Sequence, residues 1–348
     1  VFITGVGNVG TELINQLINQ EEYLLSNLNI KINVCGVSNS KKMIINKNGI
    51  NINKWLKLLE RGSTADPNLF LKKIKDLNLR NSIFVDNTAS DIISKFYKNY
   101  LKKSISVVTC NKIACADRLE NYKELKYLSK NYNAPFLFET NVGASLPIID
   151  TLKNLIASGD KIISIQAVLS GSLNYVFNNF KNKDTFHEIV EDAKNLGFTE
   201  PDPKIDLSGT DVARKILILS RESGLDIEFN DIINEQFLPM SCLKTKGYEN
   251  FIQCLIKEKN HFNNLLNEAI NKNERLKYVA EMTNGKAKVS LKSVDKNHPF
   301  YNLEGSDNIV LFYTSRYSKQ PLIVKGAGAG AEVTAAGIFA DIIRIANR

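Results

Sequence analysis

Histidine is almost missing from this chain. Its three histidines, His187, His261 and His298, lie far apart in 348 residues, and no HExxH or CxxC accompanies them. A zinc centre of ordinary ligand spacing and a histidine-based triad therefore have nothing to build on. Five cysteines, Cys35, Cys110, Cys115, Cys242 and Cys254, are too few and too irregularly spaced for a disulfide framework. A reducing cytoplasmic setting is the expectation.

Long apolar runs are also absent, none approaching the ~18 to 20 residues that cross a bilayer, so no membrane partner is expected. No positive segment and apolar run precede the strand-like start at Val1-Phe2-Ile3, which reads as a chain without a secretory signal and with residues missing upstream. Basic residues outnumber acidic ones, giving a net charge of +8. The lysines are scattered among Asn and Ile and form no basic stripe, so nucleic acid is not an expected partner. With 43% hydrophobic and 24% charged residues the chain is neither disordered nor fibrous, and its length predicts two domains.

What is present begins with a βαβ pattern: a strand Val1 to Thr4, a helix from about Val9 to Leu25, and a strand Ile30 to Val37. Asn39 to Asn53 reads as a loop. Strands at Ser82 to Val85, Ser104 to Thr109 and Pro135 to Phe138 alternate with helices at Asp91 to Leu101 and Leu119 to Asn131. This predicts an α/β fold with a doubly wound, mostly parallel Rossmann-type sheet. After about residue 140 longer helices (Leu146 to Ala157, Phe186 to Leu196, Val212 to Ser223) mix with strands Ile162 to Leu169 and Lys286 to Ser290, which predicts a second, α+β domain. Gly326 to Gly330 reads as a glycine-rich turn into a terminal helix, Ala331 to Ala346.

Gly5-Val6-Gly7-Asn8-Val9-Gly10 is a GxGxxG run between a strand and a helix, the context of a dinucleotide fingerprint. There Gly5 permits the turn, Gly7 the approach of a pyrophosphate to the backbone, and Gly10 the close packing of helix on strand. NAD sites usually carry an acidic residue at the end of the second strand to bind the ribose 2′-hydroxyl. Here the segment is Gly36-Val37-Ser38-Asn39-Ser40-Lys41-Lys42, without a carboxylate. Lysines beside hydroxyl and amide donors suit a 2′-phosphate, so NADP(H) is expected over NAD(H).

The segment Gly197 to Lys215 concentrates charge. Pro201 and Pro203 fix the backbone around Glu200 and Asp202, and Asp206 or Ser208 is placed to cap the following helix. Asp211 and Lys215 stand four apart on one face and can pair. An exposed pair of this kind contributes only ~0.3 to 0.5 kcal/mol. Periodicity leaves that reading open, because Arg214, Arg221 and Glu222 share the polar arc while Val212, Ala213, Ile216 and Leu217 form the apolar one.

Together with the fingerprint and the Thr199-Glu-Pro-Asp-Pro203 to Asp211-Val-Ala-Arg-Lys215 segment, five further motifs stand in order: Asp86-Asn-Thr88, Thr109-Cys-Asn-Lys112, Glu139 to Pro147, Leu169 to Tyr175, and Gly328 to Gly337. On these seven motifs the chain resembles homoserine dehydrogenase over essentially its whole length. The loop around Ser40 and Lys41 and the stretch Gly49 to Trp55 resemble the dehydrogenase half of a bifunctional aspartokinase–homoserine dehydrogenase.

The resemblance implies NAD(P)-dependent interconversion of L-homoserine and L-aspartate 4-semialdehyde, within threonine, methionine and isoleucine biosynthesis. It implies a cofactor domain of residues 1–140 and 326–348, and a substrate-binding, catalytic and dimerisation domain of residues 141–325. Lys215, Lys112 and Asp211 are the implied catalytic residues, and Glu200, Asp206 and Asp211 hold the substrate. Gly5, Gly7, Asn8, Val9, Gly10, Ser40, Lys41, Thr88, Lys112 and Gly330 meet the cofactor. Glu139, with carbonyls of Val142, Ala144 and Leu146, matches a sodium site, whose oxygen-only ligation suits a hard cation. A homodimer or higher homo-oligomer and an upstream aspartokinase are implied partners. Two alternatives are an acylating semialdehyde dehydrogenase using Cys110 or Cys115 as nucleophile, and an inactive cofactor-binding regulatory module.

Overall fold

The computed structural model describes residues 1–181 and 185–348. They form two compact units, Val1–Ser145 with Ala329–Arg348, and Leu146–Gly328. Among the described residues no helix is long and apolar enough to cross a membrane.

The first unit is built on strands β1 (Phe2–Thr4), β2 (Gly36–Ser38), β3 (Lys42–Ile45), β4 (Ser63–Thr64), β5 (Ile83–Asp86), β6 (Ser106–Thr109) and β7 (Phe136–Leu137), in the order β4-β3-β2-β1-β5-β6-β7. The run from β2 to β7 pairs in parallel, and β3 and β4 add an antiparallel edge. Consecutive apolar residues fill these strands because both faces are covered: Phe2 and Ile3, Phe84 and Val85, Val107 and Val108 are all buried. Ile3, Val85 and Val108 share one core with Leu13, Ile14 and Leu17 of the helix Asn8–Leu28 and with Ala335, Ile338 and Ile342 of the terminal helix Ala331–Ala346. Each of the valine, leucine and isoleucine side chains contributes roughly 1.5 to 3 kcal/mol by leaving water. On the opposite face Phe84 stacks on Tyr100 with ring centres 4.0 Å apart.

Three expectations need correction here. The strand expected over Ile30 to Val37 is only β2, three residues long. The stretch Asn39 to Asn53, expected as loop, contains β3 and a 3-10 turn at Ile52–Lys54. The Asn39 side chain causes this: its Oδ1 accepts from the backbone N–H groups of Lys41 and Lys42, a local turn that sends Lys42-Met-Ile-Ile back along β2. The helix expected over Asp91 to Leu101 is two short ones, Asp91–Ser94 and Tyr97–Leu101.

The second unit holds β8 (Ile162–Val168), β9 (Ile233–Asn234), β10 (Arg275–Thr283), β11 (Lys286–Val294), β12 (Asp307–Thr314) and β13 (Leu322–Ala327), in the order β13-β12-β8-β10-β11-β9. All pairings are antiparallel except β9 with β11. Gly326 belongs to β13, so the glycine-rich turn is shorter than the sequence suggests. The helix Thr210–Glu222 packs on β10 and β11, burying Val212, Ala213, Ile216 and Leu217. Arg221, expected on its polar arc, is also buried: its guanidinium donates to the Ile227 carbonyl and pairs with Glu228, each at 3.1 Å. The Glu222 side chain is likewise buried and pairs with Lys153 at 3.4 Å. Burying these charges is tolerable because each has a partner.

Candidate active site

In the first unit the cofactor candidates gather at the carboxyl ends of the parallel strands. β1 lies between β2 and β5, the point where an open α/β sheet reverses its winding and leaves a crevice. Gly5 follows β1, and Asn8, Val9 and Gly10 form the first turn of the helix capped by Gly7. A Cβ on Gly10 would lie 2.1 Å from the Gly5 carbonyl oxygen, so only glycine lets the helix start this close to the strand. Ser40 and Lys41 are exposed in the turn after β2. Lys42 is not available in the same way, since its ammonium donates to the Gly62 carbonyl at 3.2 Å. Thr88 follows β5, Lys112 caps the short helix Ile113–Ala116 after β6, and Gly330 is the N-cap of the terminal helix.

These positions fit a dinucleotide. A Cβ on Gly7 would meet nothing within 4 Å among the described residues, so that backbone is open to a phosphate. The Asn87 carboxamide is buried, and among the described residues neither of its amide atoms has a hydrogen-bond partner, the condition expected of a group that awaits a polar ligand. A cavity of about 450 Å³ opens beside the turn, lined by Gly5, Ser40, Thr88, Pro67, Ile92 and Phe96 among others. Its apolar wall suits a flat aromatic ring. Sequence reasoning missed Pro67, Ile92 and Phe96, which come from separate segments and carry no motif.

Glu139, of the implied cation site, is buried in a 3-10 turn, Glu139–Asn141, followed by Gly143 and Ala144 with φ of +78° and +53°. Its donor set of carboxylate and carbonyl oxygens is of the right type for a hard cation. A cation of the chain is already close: Arg344 lies 3.6 Å from the Glu139 carboxylate and 2.7 Å from Asp341, which in turn accepts from the Glu139 backbone N–H. Val142 is buried next to this turn, and Leu146 opens the second unit.

In the second unit Asp211 and Lys215 lie one turn apart on the helix Thr210–Glu222, with the ammonium 2.9 Å from the carboxylate. Lys215 also donates to the carbonyl of Leu169, just past β8, at 2.6 Å. Two of its three N–H groups are thereby committed. The pair is not an ordinary exposed one, for Lys215 is only 9% exposed.

Asp206 is not the helix cap expected. Gly209 takes that position, and Asp202 caps the preceding short helix Pro203–Leu207 by accepting from the Lys204 N–H. The Asp206 carboxylate instead accepts from the Glu200 backbone N–H at 2.9 Å and from the Ser172 hydroxyl at 3.1 Å. Burial raises its pKa above the ordinary carboxylate value, these hydrogen bonds oppose the shift, and the charges of Glu200 and Asp211 add to it. Glu200 itself is exposed. The unit therefore holds an ammonium anchored by Asp211, with Asp206 within electrostatic reach of both Asp211 and Glu200, and these groups can between them bind an amino group and protonate an oxygen.

The cysteine alternative finds no support. Cys115 is fully buried, and burial together with the nearby Asp86 charge pushes the Cys110 thiol up to about 11. A nucleophilic cysteine needs the opposite shift.

Family models match both units: one for the homoserine dehydrogenase NAD binding domain over residues 5–139, and one for homoserine dehydrogenase over residues 147–343. The chain is 43% identical to the bifunctional aspartokinase/homoserine dehydrogenase 2 of Arabidopsis thaliana over 99% of its own length, but spans only 38% of that protein. It is 38% identical to the homoserine dehydrogenase of Schizosaccharomyces pombe, covering all of this chain and 95% of the relative. Among solved structures, a hyperthermophilic archaeal homoserine dehydrogenase in complex with NADPH matches 99% of this chain and 96% of its own, with a TM-score of 0.76 at 26% identity.

Proposed function

Because the chain belongs to the homoserine dehydrogenase family, we propose that it interconverts L-homoserine and L-aspartate 4-semialdehyde by hydride transfer, with NADP(H) preferred over NAD(H). The observation that carries this reading is the anchored ammonium of Lys215. As the aldehyde is reduced, negative charge develops on its oxygen. The Lys215 N–H left over from Asp211 and Leu169 stabilises that charge and then delivers the proton. Asp211 holds the amine in place until it is used.

Glu200 offers an exposed carboxylate to the substrate α-ammonium. Asp206 holds the Glu200 backbone, and with it the loop that presents this group. A nicotinamide cofactor supplies or accepts the hydride when bound. Gly5, Gly7, Asn8, Val9 and Gly10 would hold its pyrophosphate, Thr88 and Lys112 its nicotinamide end, and Ser40 with Lys41 a 2′-phosphate. In this reading Glu139, Val142 and Ala144 hold a sodium ion, the enzyme works in the cytoplasm as a homodimer or larger assembly, and an aspartokinase belongs to the same protein, as in the relatives of which this chain spans 38%.

The test is absorbance at 340 nm with homoserine and each nicotinamide cofactor. Turnover with NADP+ exceeding that with NAD+ is the expected outcome. No turnover with either cofactor from neutral to alkaline pH overturns the reading.

A further inference from the structure

Asp86 ends β5 and is completely buried, yet no step of the proposed reaction uses it. Its two carboxylate oxygens face different turns. Oδ1 accepts from the Thr88 backbone N–H at 2.8 Å and so shapes the turn beside Gly5. Oδ2 accepts from the Asn111 side chain at 3.2 Å and from the Tyr97 hydroxyl at 2.5 Å. Asn111 passes the constraint on. It donates to the Ser90 carbonyl at 2.9 Å, and its Oδ1 accepts from the Ile113 N–H at 3.1 Å, so it spans Lys112 on both sides. The Asp86 backbone carbonyl adds a bond from the Thr109 hydroxyl at 3.1 Å.

We propose that Asp86 is a positioning residue for the cofactor half of the site: through Asn111 its carboxylate fixes the turn that carries Lys112 and ties it to the turn that carries Thr88. This rests on the reading above, in which Lys112 and Thr88 flank the reactive end of the cofactor. A carboxylate buried only to hold a fold would be an expensive choice, because an amide or an apolar side chain does that with less desolvation. Here the geometry needs acceptors alone at three places, two of them on one oxygen, and an ionised carboxylate is the side chain that has acceptors and no donor.

The experiment is a double-mutant cycle with Asp86→Asn, Asn111→Ala and both together, read by kcat, by NADPH binding, and by the acylation rate of Lys112 under an amine-reactive reagent, followed by peptide mass spectrometry with Lys41 as internal reference. In either orientation the Asp86→Asn carboxamide sets its NH2 against a donor, the Thr88 N–H or the Asn111 and Tyr97 pair, and so loosens one of the two tied turns. The expected result is a loss of about tenfold or more in kcat, NADPH affinity within about threefold of wild type, and a change of at least about threefold in Lys112 labelling. Asn111→Ala should reproduce these changes, and the double variant should lose no more than the larger single loss, since both act through one contact.

Multiplying losses in the double variant, or a Lys112 labelling rate that stays at the wild-type value in either single variant, overturns the proposal. If Asp86→Asn fails to fold, Asn111→Ala decides alone by the same labelling rate. Labelling needs no turnover, so a wild-type protein inactive with homoserine would sink the functional reading and still leave the Asp86 linkage tested.

Discussion

Lys215 and Asp211 form an unequal pair: the lysine side chain is 11% exposed and the carboxylate 46%, with 2.9 Å between them. An exposed pair at this spacing would be replaceable at a cost of a few tenths of a kcal/mol. Because the ammonium is sunk against the Leu169 carbonyl while its counter-charge reaches solvent, Lys215→Ala is expected to lower kcat by ~10² to 10⁴ and leave NADPH binding nearly unchanged. Asp211→Asn should lower kcat in the same direction. Steady-state turnover with a parallel cofactor titration checks both, and a Lys215→Ala protein keeping more than about a tenth of its kcat would return the pair to a structural role.

Coenzyme choice should depend on Lys41 far more than on Lys42. The sequence offers the two lysines equally, but the Asn39 turn leaves Lys41 exposed and commits the Lys42 ammonium to Gly62. Lys41→Ala is therefore expected to raise KM for NADP+ by roughly tenfold with little change for NAD+, as loss of one charged phosphate contact implies. Lys42→Ala should move both cofactors together. Equal effects of Lys41→Ala on the two cofactors would show that the 2′-phosphate is met elsewhere.

Local signals made much of this legible. The helix Leu119–Asn131 was bounded by periodicity alone, and the glycine fingerprint marked the crevice beside β1 because strand, turn and helix each leave a pattern in consecutive residues. What stayed hidden depends on partners distant in sequence. Arg221 and Glu222 look like surface charges in a helical wheel, and only Glu228 and Lys153 make their burial possible. Asp206 looks like a cap until Ser172 and the Glu200 backbone are seen to claim its oxygens. The hairpin after β2 escaped for a different reason: an asparagine-rich stretch reads as loop, and one asparagine side chain was enough to turn it into a strand.

The close start of the first helix gives a sharp test of the cofactor turn. A methyl group at residue 10 would overlap the Gly5 carbonyl, a backbone atom that cannot rotate away. Gly10→Ala is expected to lose at least ~1 to 3 kcal/mol of stability, the usual range for overpacking, and to weaken NADPH binding as the turn is pushed open. Thermal melting and fluorescence titration on the same preparation measure the two effects, and unchanged values in both would mean that the helix start can shift freely.

Lys277 is buried in β10 and bonded to the side chains of Asn174 and Asn178 and to the Leu303 carbonyl. Burial pulls its ammonium down to about 8, the charges of Arg275 and Lys325 adding to the shift and Glu304 opposing it. Between about 8 and the ordinary lysine value of 10.5 the unfolded chain holds a proton that the folded one has released. Stability from this group therefore rises with pH across that window and is lost as pH falls through it. Asn174 and Asn178 belong to the helix Gly171–Asn179, which also carries Ser172, the residue that holds Asp206. Lys277 thus links its own titration to the anchoring of a helix in the candidate substrate site. Melting temperatures of wild type and Lys277→Met, compared from pH 7.5 to 10, should show the wild type gaining on the variant as pH rises. A constant difference would mean that the buried amine titrates at its ordinary value and that its three acceptors offset the cost of burying the charge.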